Sequence, residues 1–338
     1  MTLLYAKILH KAGFDCYLLL VGSIKENNTI APFVPEWMPT NEIRYEKLRT
    51  GVSRILKHIR SNDYHTVFCS LPILGGFLCL FKFLRLTKSK VAVRLCNMPS
   101  ALSKMGHLMC KYFYKYADLI ISQTSEMKDE MIKYYGLTES SVLVINNPID
   151  KDLINSCIAE SCDIDQSNTN YIGVGKVIPR KGFNTLIKAF YIVKKGNDKS
   201  MLHIVGKFDD PECIEYKKQL DQLVTEFQLD GSVIFHGFQK NPFKYLNASD
   251  VFVLSSLDEG LPNVMLEAWY LGKPVVATSC IPYIKQVIND GVNGYSVPVD
   301  DEQSMAEAML RATTLPKQHK YLDLHRSEEL IINELKRL

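Results

Sequence analysis

Two glutamates, Glu259 and Glu267, stand on either side of a Gly-Leu-Pro-Asn turn in the sequence. Carboxylates repel phosphate but accept hydrogen bonds from sugar hydroxyls. The turn suits a diphosphate, because Gly260 lets the backbone approach a ligand closely and a following helix would present its N-terminal N–H groups. The segment therefore predicts a site for a nucleotide sugar, with a sugar on each side of a diphosphate. The spacing alone equally allows Glu259 to be a solvated loop charge and Glu267 a surface residue of a helix.

The elements around this turn would hold it at the edge of a sheet. Val251 to Leu254 is a short apolar run typical of a buried parallel strand, and Val275 to Thr278 is a second one. Between them, Pro262 fits the first turn of a helix that Gly272 would end. In an open α/β sheet, such a strand–loop–helix corner lies at the carboxyl ends of the strands, where ligands bind.

Another predicted strand, which ends at Gly173 and Gly175, is followed by three cations, Lys176, Arg180 and Lys181. Placed at the same edge, they could neutralise a diphosphate leaving group. The segment lacks the GxxxxGK[ST] pattern of a Walker A loop, and Gly173-Val-Gly175 lacks the third glycine of a dinucleotide fingerprint. Taken alone, a basic helix start is more often a solvated surface.

The segment EGLPNVMLEA, from Glu259 to Ala268, resembles the E-x7-E signature of the retaining glycosyltransferases of family 4. Residues 171–183, YIGVGKVIPRKGF, resemble the family's GR-x-x-x-x-KG donor loop, and residues 292–300 resemble its Asn-Gly segment. The resemblance implies an α/β protein of the GT-B fold, in which two Rossmann-like domains with parallel sheets face each other across a cleft.

By this resemblance, Glu259 holds the hydroxyls of the donor sugar and Glu267 the ribose, while Lys176 and Lys181 stabilise the diphosphate. Lys176 replaces the arginine common at its position, so a planar two-pronged contact is lost. The predicted catalytic residues are thus Glu259, Lys181 and Lys176, and the donor-binding residues are Gly175, Arg180, Gly260, Leu261, Pro262, Asn263, Val264 and Glu267. Arg94 and Asn97 are predicted on the acceptor side, in a segment where family members often carry a histidine and this chain has Cys96.

Alternating strand and helix patterns predict two domains. The expected organisation is an N-terminal acceptor-side domain at 1–150, a linker at 151–170, a nucleotide-sugar-binding domain at 171–318, and a C-terminal helix at 319–338 that returns to the first domain, as in the family. The sequence from Thr2 to Gly13 already has the pattern of the first helix, so the expected first strand of the N-terminal domain is missing. A misassigned start, a truncation and a true variant all remain open.

Composition excludes a disordered chain, because 46% of the 338 residues are hydrophobic. The nine cysteines form no CxxC pair, and neither a signal peptide nor a long apolar run is present, so we expect a cytoplasmic protein without structural disulfides. Charge is uneven: residues 1–150 hold 19 Lys and Arg against 12 Asp and Glu, and the remainder holds 21 against 25.

The basic first half suggests an anionic partner. Residues 72–90 and 105–116, the latter preceded by Lys104, mix apolar and basic side chains, which predicts a peripheral contact with the inner face of an anionic membrane. The alternative is that both are helices packed between a sheet and solvent with basic outer faces. Nucleic acid is a less suitable partner, because the chain has no reader motif and only a small net charge.

No metal and no cofactor are predicted. Asp163-Ile-Asp165 matches the DxD of metal-dependent transferases by its letters, but it lies in the polar linker rather than beside a strand end. The eight histidines have no ligand spacing, and His236 is interpreted as structural.

The favoured hypothesis is a retaining glycosyltransferase that moves a hexose or N-acetylhexosamine from a nucleoside diphosphate sugar, UDP-linked, to a lipid-linked or polysaccharide acceptor in surface glycan biosynthesis. The alternative is a sugar-nucleotide-binding subunit, or an inactive truncated transferase, that acts with a partner. A third hypothesis is a nucleotide-sugar epimerase.

Overall fold

The computed structural model describes residues 1–23, 34–316 and 325–338. The chain divides into two compact units, which we call unit 1 (Met1–Pro148 with Leu324–Leu338) and unit 2 (Ile149–Asp323). Both units are built from parallel strands alternating with helices, as the sequence predicts.

Unit 1 begins with a helix, as expected, and no strand precedes it among the described residues. Its elements are α1 (Thr2–Lys11), β1 (Leu18–Ser23), β2 (Thr40–Tyr45), α2 (Leu48–Asn62), β3 (Thr66–Cys69), α3 (Pro72–Phe83), β4 (Lys90–Arg94), α4 (Lys104–Phe113), β5 (Leu119–Ser122), α5 (Ser125–Tyr135), β6 (Val142–Val144) and α13 (His325–Arg337).

The described strands of unit 1 form two sheets rather than one. Strands β3 to β6 make a four-stranded parallel sheet in sequential order, whereas β1 and β2 pair with each other. Strand β2, TNEIRY, lacks the apolar run that marks strands such as β4 and β10, because its first three residues are polar and exposed.

The C-terminal helix α13 packs within unit 1. Its Ile331 and Leu335 are buried in one cluster with Tyr5 and Ile8 of α1 and with Ile121 of β5. An amphipathic helix is stabilised by burying its apolar face, and the beginning and end of the chain bury theirs together.

Unit 2 contains a six-stranded parallel sheet. Its elements are α6 (Lys151–Cys157), β7 (Thr169–Val174), α7 (Phe183–Gly196), β8 (Ser200–Val205), α8 (Pro211–Glu226), β9 (Val233–Gly237), α9 (Phe243–Ala248), β10 (Val251–Leu254), α10 (Asn263–Tyr270), β11 (Val275–Thr278), α11 (Pro282–Val287), β12 (Gly294–Val297) and α12 (Glu302–Ala312). The strand order is β12-β11-β10-β7-β8-β9.

Residues 151–170, predicted as a linker, are more structured than a linker would be. They include helix α6 and the start of β7, and they fall within unit 2. Helix α6 has an N-cap, since the Asp150 carboxylate accepts a hydrogen bond from the Leu153 N–H at 3.1 Å. The polar residues that suggested a linker are those of a capped surface helix and the turn after it.

The turn after β7 is held against the end of β10. Gly182 has a φ of +61°, and a Cβ atom at this position would lie 2.0 Å from the Ser255 carbonyl oxygen. Only glycine fits both the left-handed backbone and this close approach.

A histidine pair, with His203 buried and His236 half-buried, links the β7, β8 and β9 strands. Asn170 donates hydrogen bonds through its side-chain nitrogen, so its Oδ1 accepts one from His203 Nε2 at 3.0 Å. His203 Nδ1 lies 3.0 Å from His236 Nε2 and therefore accepts from it. Both rings are neutral in this arrangement. Burial, and then the neighbouring His236, lower the pKa of His203 to about 4. His236 is structural here, in agreement with its interpretation from the sequence.

No helix of the described residues is long and apolar enough to cross a membrane. The nine cysteines are all unpaired.

The His203 pair predicts a loss of stability in mild acid. Because the folded-state pKa of His203 is depressed, the unfolded chain binds more protons than the folded one between about pH 4 and 6.5. The contribution of His203 to the unfolding free energy should be fully present above about pH 6.5. The unfolding free energy should then fall by up to about 3 kcal/mol as the pH is lowered toward 4. Urea titrations at several pH values measure this. The slope with pH should shrink in His203→Gln and persist in the exposed control His65→Gln; equal slopes in all three proteins would contradict it.

Gly182→Ala should destabilise unit 2 strongly, by roughly 3 kcal/mol or more, because alanine disfavours the left-handed backbone and its Cβ atom would collide with the Ser255 carbonyl oxygen. Gly231→Ala is the matched control: Gly231 also has a positive φ, +75°, but open space around it, so about 1–2 kcal/mol is expected. Urea unfolding in a Trp37→Phe background leaves the buried Trp269 as the reporter of unit 2. Similar losses in the two alanine variants would show that the close approach does not matter.

Candidate functional site

The candidate site lies where the strand order of unit 2 reverses. Strands β7 and β10 are neighbours in the sheet, but the chain proceeds from β7 to β8 on one side and from β10 to β11 on the other. The loops after β7 and β10 therefore leave the carboxyl edge toward opposite sides of the sheet. Open α/β sheets bind ligands at this switch point.

Backbone contacts fix the two loops to each other. The Ser255 hydroxyl donates a hydrogen bond to the Lys181 carbonyl at 2.8 Å, and the Leu257 N–H donates to the Arg180 carbonyl at 2.8 Å. The turn with the three predicted cations is thus positioned by the first residues after β10.

An ion pair joins the same two loops. Lys181 Nζ donates to Glu259 Oε1 at 2.5 Å, and the Ser256 hydroxyl donates to the same oxygen at 2.7 Å. The two charged side chains are only 16% and 9% exposed, so each needs the other to offset its desolvation. An ammonium group has three donors, and Glu259 takes one of those of Lys181.

The other two predicted cations lie nearer to solvent. Lys176 Nζ contacts Asp210 Oδ2 at 2.7 Å, and the hydrogen bond raises the pKa of the lysine and lowers that of the aspartate. Asp210 is also the N-cap of α8, where its other oxygen accepts from the Cys213 N–H at 3.1 Å. Arg180 Nη1 lies 3.9 Å from Asp258 Oδ2, with both side chains more than half exposed.

Helix α10 and the loop before it carry the predicted donor-site residues that follow β10. The helix begins at Asn263 with Pro262 as its N-cap, one residue later than the sequence predicts. Gly260 and Leu261 lie in the loop before it, and Val264 lies in its first turn. Glu267 follows further along the helix, and burial raises the pKa of its carboxyl to about 7. Among the described contacts, none joins Glu267 to Lys181 or Glu259.

Several polar residues of the site were not predicted. Ser255 and Ser256 provide the contacts given above, and the Thr278 hydroxyl at the end of β11 donates to the Ser256 carbonyl at 2.5 Å. Cys280 follows, and burial raises the pKa of its thiol to about 11, with the nearby Glu259 acting in the same direction. Small polar residues directly after apolar strands are the sequence signal that could have identified the two serines and Thr278.

The two predicted acceptor-side residues lie in unit 1, at and just after the end of β4. Arg94 is 1% exposed; it donates to Asn147 Oδ1 and lies 2.9 Å from Cys96 Sγ. Its guanidinium also lies 5.3 Å from the centre of the Tyr5 ring. Asn97 is exposed. In the part of the chain that the structure describes, no group of three or more His, Cys, Asp or Glu side chains has the geometry to hold a metal ion.

Two family models match the chain one after the other. Glycosyltransferase Family 4 matches residues 2–153, and Glycosyl transferases group 1 matches residues 169–314.

Curated relatives are glycosyltransferases. An uncharacterized glycosyltransferase of Methanocaldococcus jannaschii is 35% identical over 183 residues, which are 53% of this chain and 44% of that protein. The matched part is thus less than half of that relative's length. The N-acetylgalactosamine-N,N'-diacetylbacillosaminyl-diphospho-undecaprenol 4-alpha-N-acetylgalactosaminyltransferase of Campylobacter jejuni is 25% identical over 317 residues, 90% of this chain and 80% of that protein.

Solved structures show the same fold. The Anabaena protein HepE, crystallised with UDP-glucose, superimposes with a TM-score of 0.74 at 18% identity, covering 95% of this chain and 100% of that one. At this identity the likeness establishes the fold, and the predicted GT-B fold is confirmed. With its two α/β units matched in turn by the two family models, the chain belongs to the group 1 glycosyltransferases of family 4.

Proposed function

We propose that this protein is a retaining glycosyltransferase that moves a hexose or N-acetylhexosamine from a UDP-linked donor to a lipid-linked or polysaccharide acceptor. The observation that carries the proposal is the buried pair of Lys181 and Glu259 at the switch point of unit 2, where a cation and a carboxylate suited to the two parts of a nucleotide sugar lie 2.5 Å apart.

The cations would stabilise the diphosphate as it leaves. Lys181 keeps two donors beyond the one that Glu259 accepts, and its position is fixed by that contact. A positioned cation acts where negative charge develops in the transition state, and the partial burial of Lys181 strengthens this effect. Lys176 would contribute from the more exposed side, exchanging Asp210 for phosphate oxygens. In this proposal the ammonium groups supply the positive charge that a metal ion supplies in other transferases.

The carboxylates would hold the two sugars. Oε1 of Glu259 already accepts from Lys181 and Ser256, which leaves Oε2 for a hydroxyl of the donor sugar. Glu267 would accept from the ribose, and backbone from Gly260 to Val264 would align the diphosphate. The acceptor would attack from the same face as the departing diphosphate and pass its proton to a phosphate oxygen, which retains the configuration.

Names of relatives support the donor and the acceptor class. HepE was crystallised with UDP and with UDP-glucose. The Campylobacter relative is named for an acceptor on diphospho-undecaprenol, and an Escherichia coli relative, 26% identical over 263 residues (74% of this chain and 68% of that protein), is a lipopolysaccharide 1,6-galactosyltransferase. A lipid-linked acceptor in surface glycan synthesis is the common chemistry.

A membrane-facing surface on unit 1 would suit such an acceptor. Helix α4 exposes Met105, Leu108 and Tyr112, which are 48–53% exposed, and the end of α3 exposes Phe83 and Leu84 to a similar degree. Basic side chains lie among them: Arg85, Lys88, Lys104, Lys111 and Lys115. Phe81 and Met109, which belong to the same stretches, are buried in the core instead. We propose peripheral binding to the anionic inner face of the membrane from the cytoplasm.

Lys181→Ala and Glu259→Ala should each lower the rate of transfer strongly. The first substitution removes a cation beside the leaving group, and the second removes the carboxylate that accepts a hydrogen bond from a hydroxyl of the donor sugar. A thermal-shift screen of UDP-, GDP- and ADP-sugars identifies the donor, since a bound ligand raises stability. Radiolabelled transfer to a membrane lipid extract then measures kcat/KM, and a loss of roughly 100-fold or more is expected in each variant.

Lys207→Ala is the matched control, because Lys207 is an exposed lysine that pairs with Asp209 at the end of another strand of the same sheet. Thermal unfolding of each variant is needed as well, since removing one partner of a buried ion pair destabilises a protein by about 3–5 kcal/mol. Unchanged transfer in both site variants would refute the assignments. UDP binding without transfer to any acceptor would favour a sugar-nucleotide-binding subunit instead.

The surface proposal predicts binding to anionic vesicles. The full protein should sediment with phosphatidylglycerol-containing vesicles, less with phosphatidylcholine alone, and less as salt increases. The variant Met105→Glu/Leu108→Glu should lose most of this binding, whereas Leu310→Glu, at an exposed leucine of unit 2, should not. Equal sedimentation of the two variants would contradict the proposal.

A further inference from the structure

Unit 2 has a cavity, open to solvent, between helices α7 and α8. The cavity measures about 460 Å³, within the range of ligand sites. Its polar lining includes Lys188 of α7, Gln219, Gln222 and Glu226 of α8, and Asp300 from the loop before α12. None of these residues belongs to the candidate donor site.

The floor of the cavity is rigid. The Tyr216 hydroxyl accepts from the Asn184 N–H at 3.1 Å and donates to the Asn184 side-chain oxygen at 2.9 Å, which fixes α8 to the start of α7. Beneath it, Leu220 is fully buried in the core of unit 2. A ligand would therefore meet a preformed surface.

The polar groups around this floor are free to bind. In the described part of the chain, the side chains of Lys188, Gln219, Gln222 and Glu226 have no hydrogen-bond or ion-pair partner. Asp300 has one oxygen bonded to the Thr185 hydroxyl at 3.0 Å and a strained φ of +57°. Strained, incompletely paired residues of this kind are concentrated at binding sites.

The mixture of groups selects the ligand class. One ammonium faces two carboxylates, so the lining is unsuited to a phosphate. Two side-chain amides offer both donors and acceptors, which matches hydroxyl groups because these also donate and accept. Leu223, which is only partly buried, adds an apolar surface for the C–H face of a sugar ring.

The cavity also borders the donor loop. Pro179 and Leu257 line it, and the Leu257 N–H is the group that holds the Arg180 carbonyl. A ligand in the cavity would contact the same turn that carries Lys181.

We infer that this cavity is a second carbohydrate site, distinct from the donor site, that holds a neutral oligosaccharide. Binding of an oligosaccharide in this cavity requires neither a metal ion nor a glycosyl-transfer step. The inference stands on the geometry of α7 and α8 and does not depend on the proposed reaction.

Calorimetric titration of the full protein with maltotetraose, cellotetraose and chitotetraose, each up to about 10 mM, tests this inference. At least one probe should bind. The variant Gln219→Ala/Gln222→Ala should weaken that binding at least about tenfold, because it removes two exposed amides without touching the core. Gln303→Ala, an exposed glutamine on α12 outside the cavity, is the matched control and should bind like the unaltered protein.

Four outcomes would overturn the inference: no probe binds, the double variant binds as tightly as the control, UDP displaces the oligosaccharide, or inorganic diphosphate binds in the cavity in its place. UDP affinity should be the same in the unaltered protein, the double variant and the Gln303→Ala control. A protein that binds an oligosaccharide here but no nucleotide sugar would refute the proposed transferase function and leave this site standing.

Discussion

The buried contact between Lys181 and Glu259 is the interaction on which the candidate site depends. Neither charge is stable alone at such low exposure, so each holds the other, and through them the loops after β7 and β10 are joined. Ser256 adds a hydrogen bond to the carboxylate, and the Ser255 hydroxyl and Leu257 N–H fix the backbone of the facing turn. The cation that would meet a diphosphate is thereby placed before any ligand arrives.

This arrangement follows from the topology of unit 2. Because the strand order reverses between β7 and β10, two loops from distant parts of the sequence meet at one carboxyl edge. Glycine at 182 is a requirement of this meeting, since a side chain there would collide with the Ser255 carbonyl. The same loops also form one wall of the cavity between α7 and α8, so the donor site and the second site share a structural element.

Unit 1 contrasts with unit 2 in its sheet. Its described strands form a four-stranded sheet and a separate pair, whereas those of unit 2 form one continuous six-stranded sheet. Helices α1 and α13 cover one side of the four-stranded sheet in a buried cluster that includes Tyr5 and Ile331. Arg94 lies at the end of β4 in this core, held by an amide, a thiol and an aromatic face rather than by a carboxylate.

Local patterns in the sequence determined which elements form and which chemistry they carry. Apolar β-branched runs bounded by glycine and proline marked most strands, and the E-x7-E segment marked the carboxylates, because these signals depend on neighbours along the chain. Such patterns do not mark the polar strand β2 or the helix α6, since the burial of these elements depends on what packs against them. Only the tertiary structure decided that Lys181 and Glu259 contact each other, that Lys176 pairs with Asp210, and that α7 and α8 line an open cavity. Those contacts join residues far apart in sequence, and sheet topology rather than local spacing brings them together.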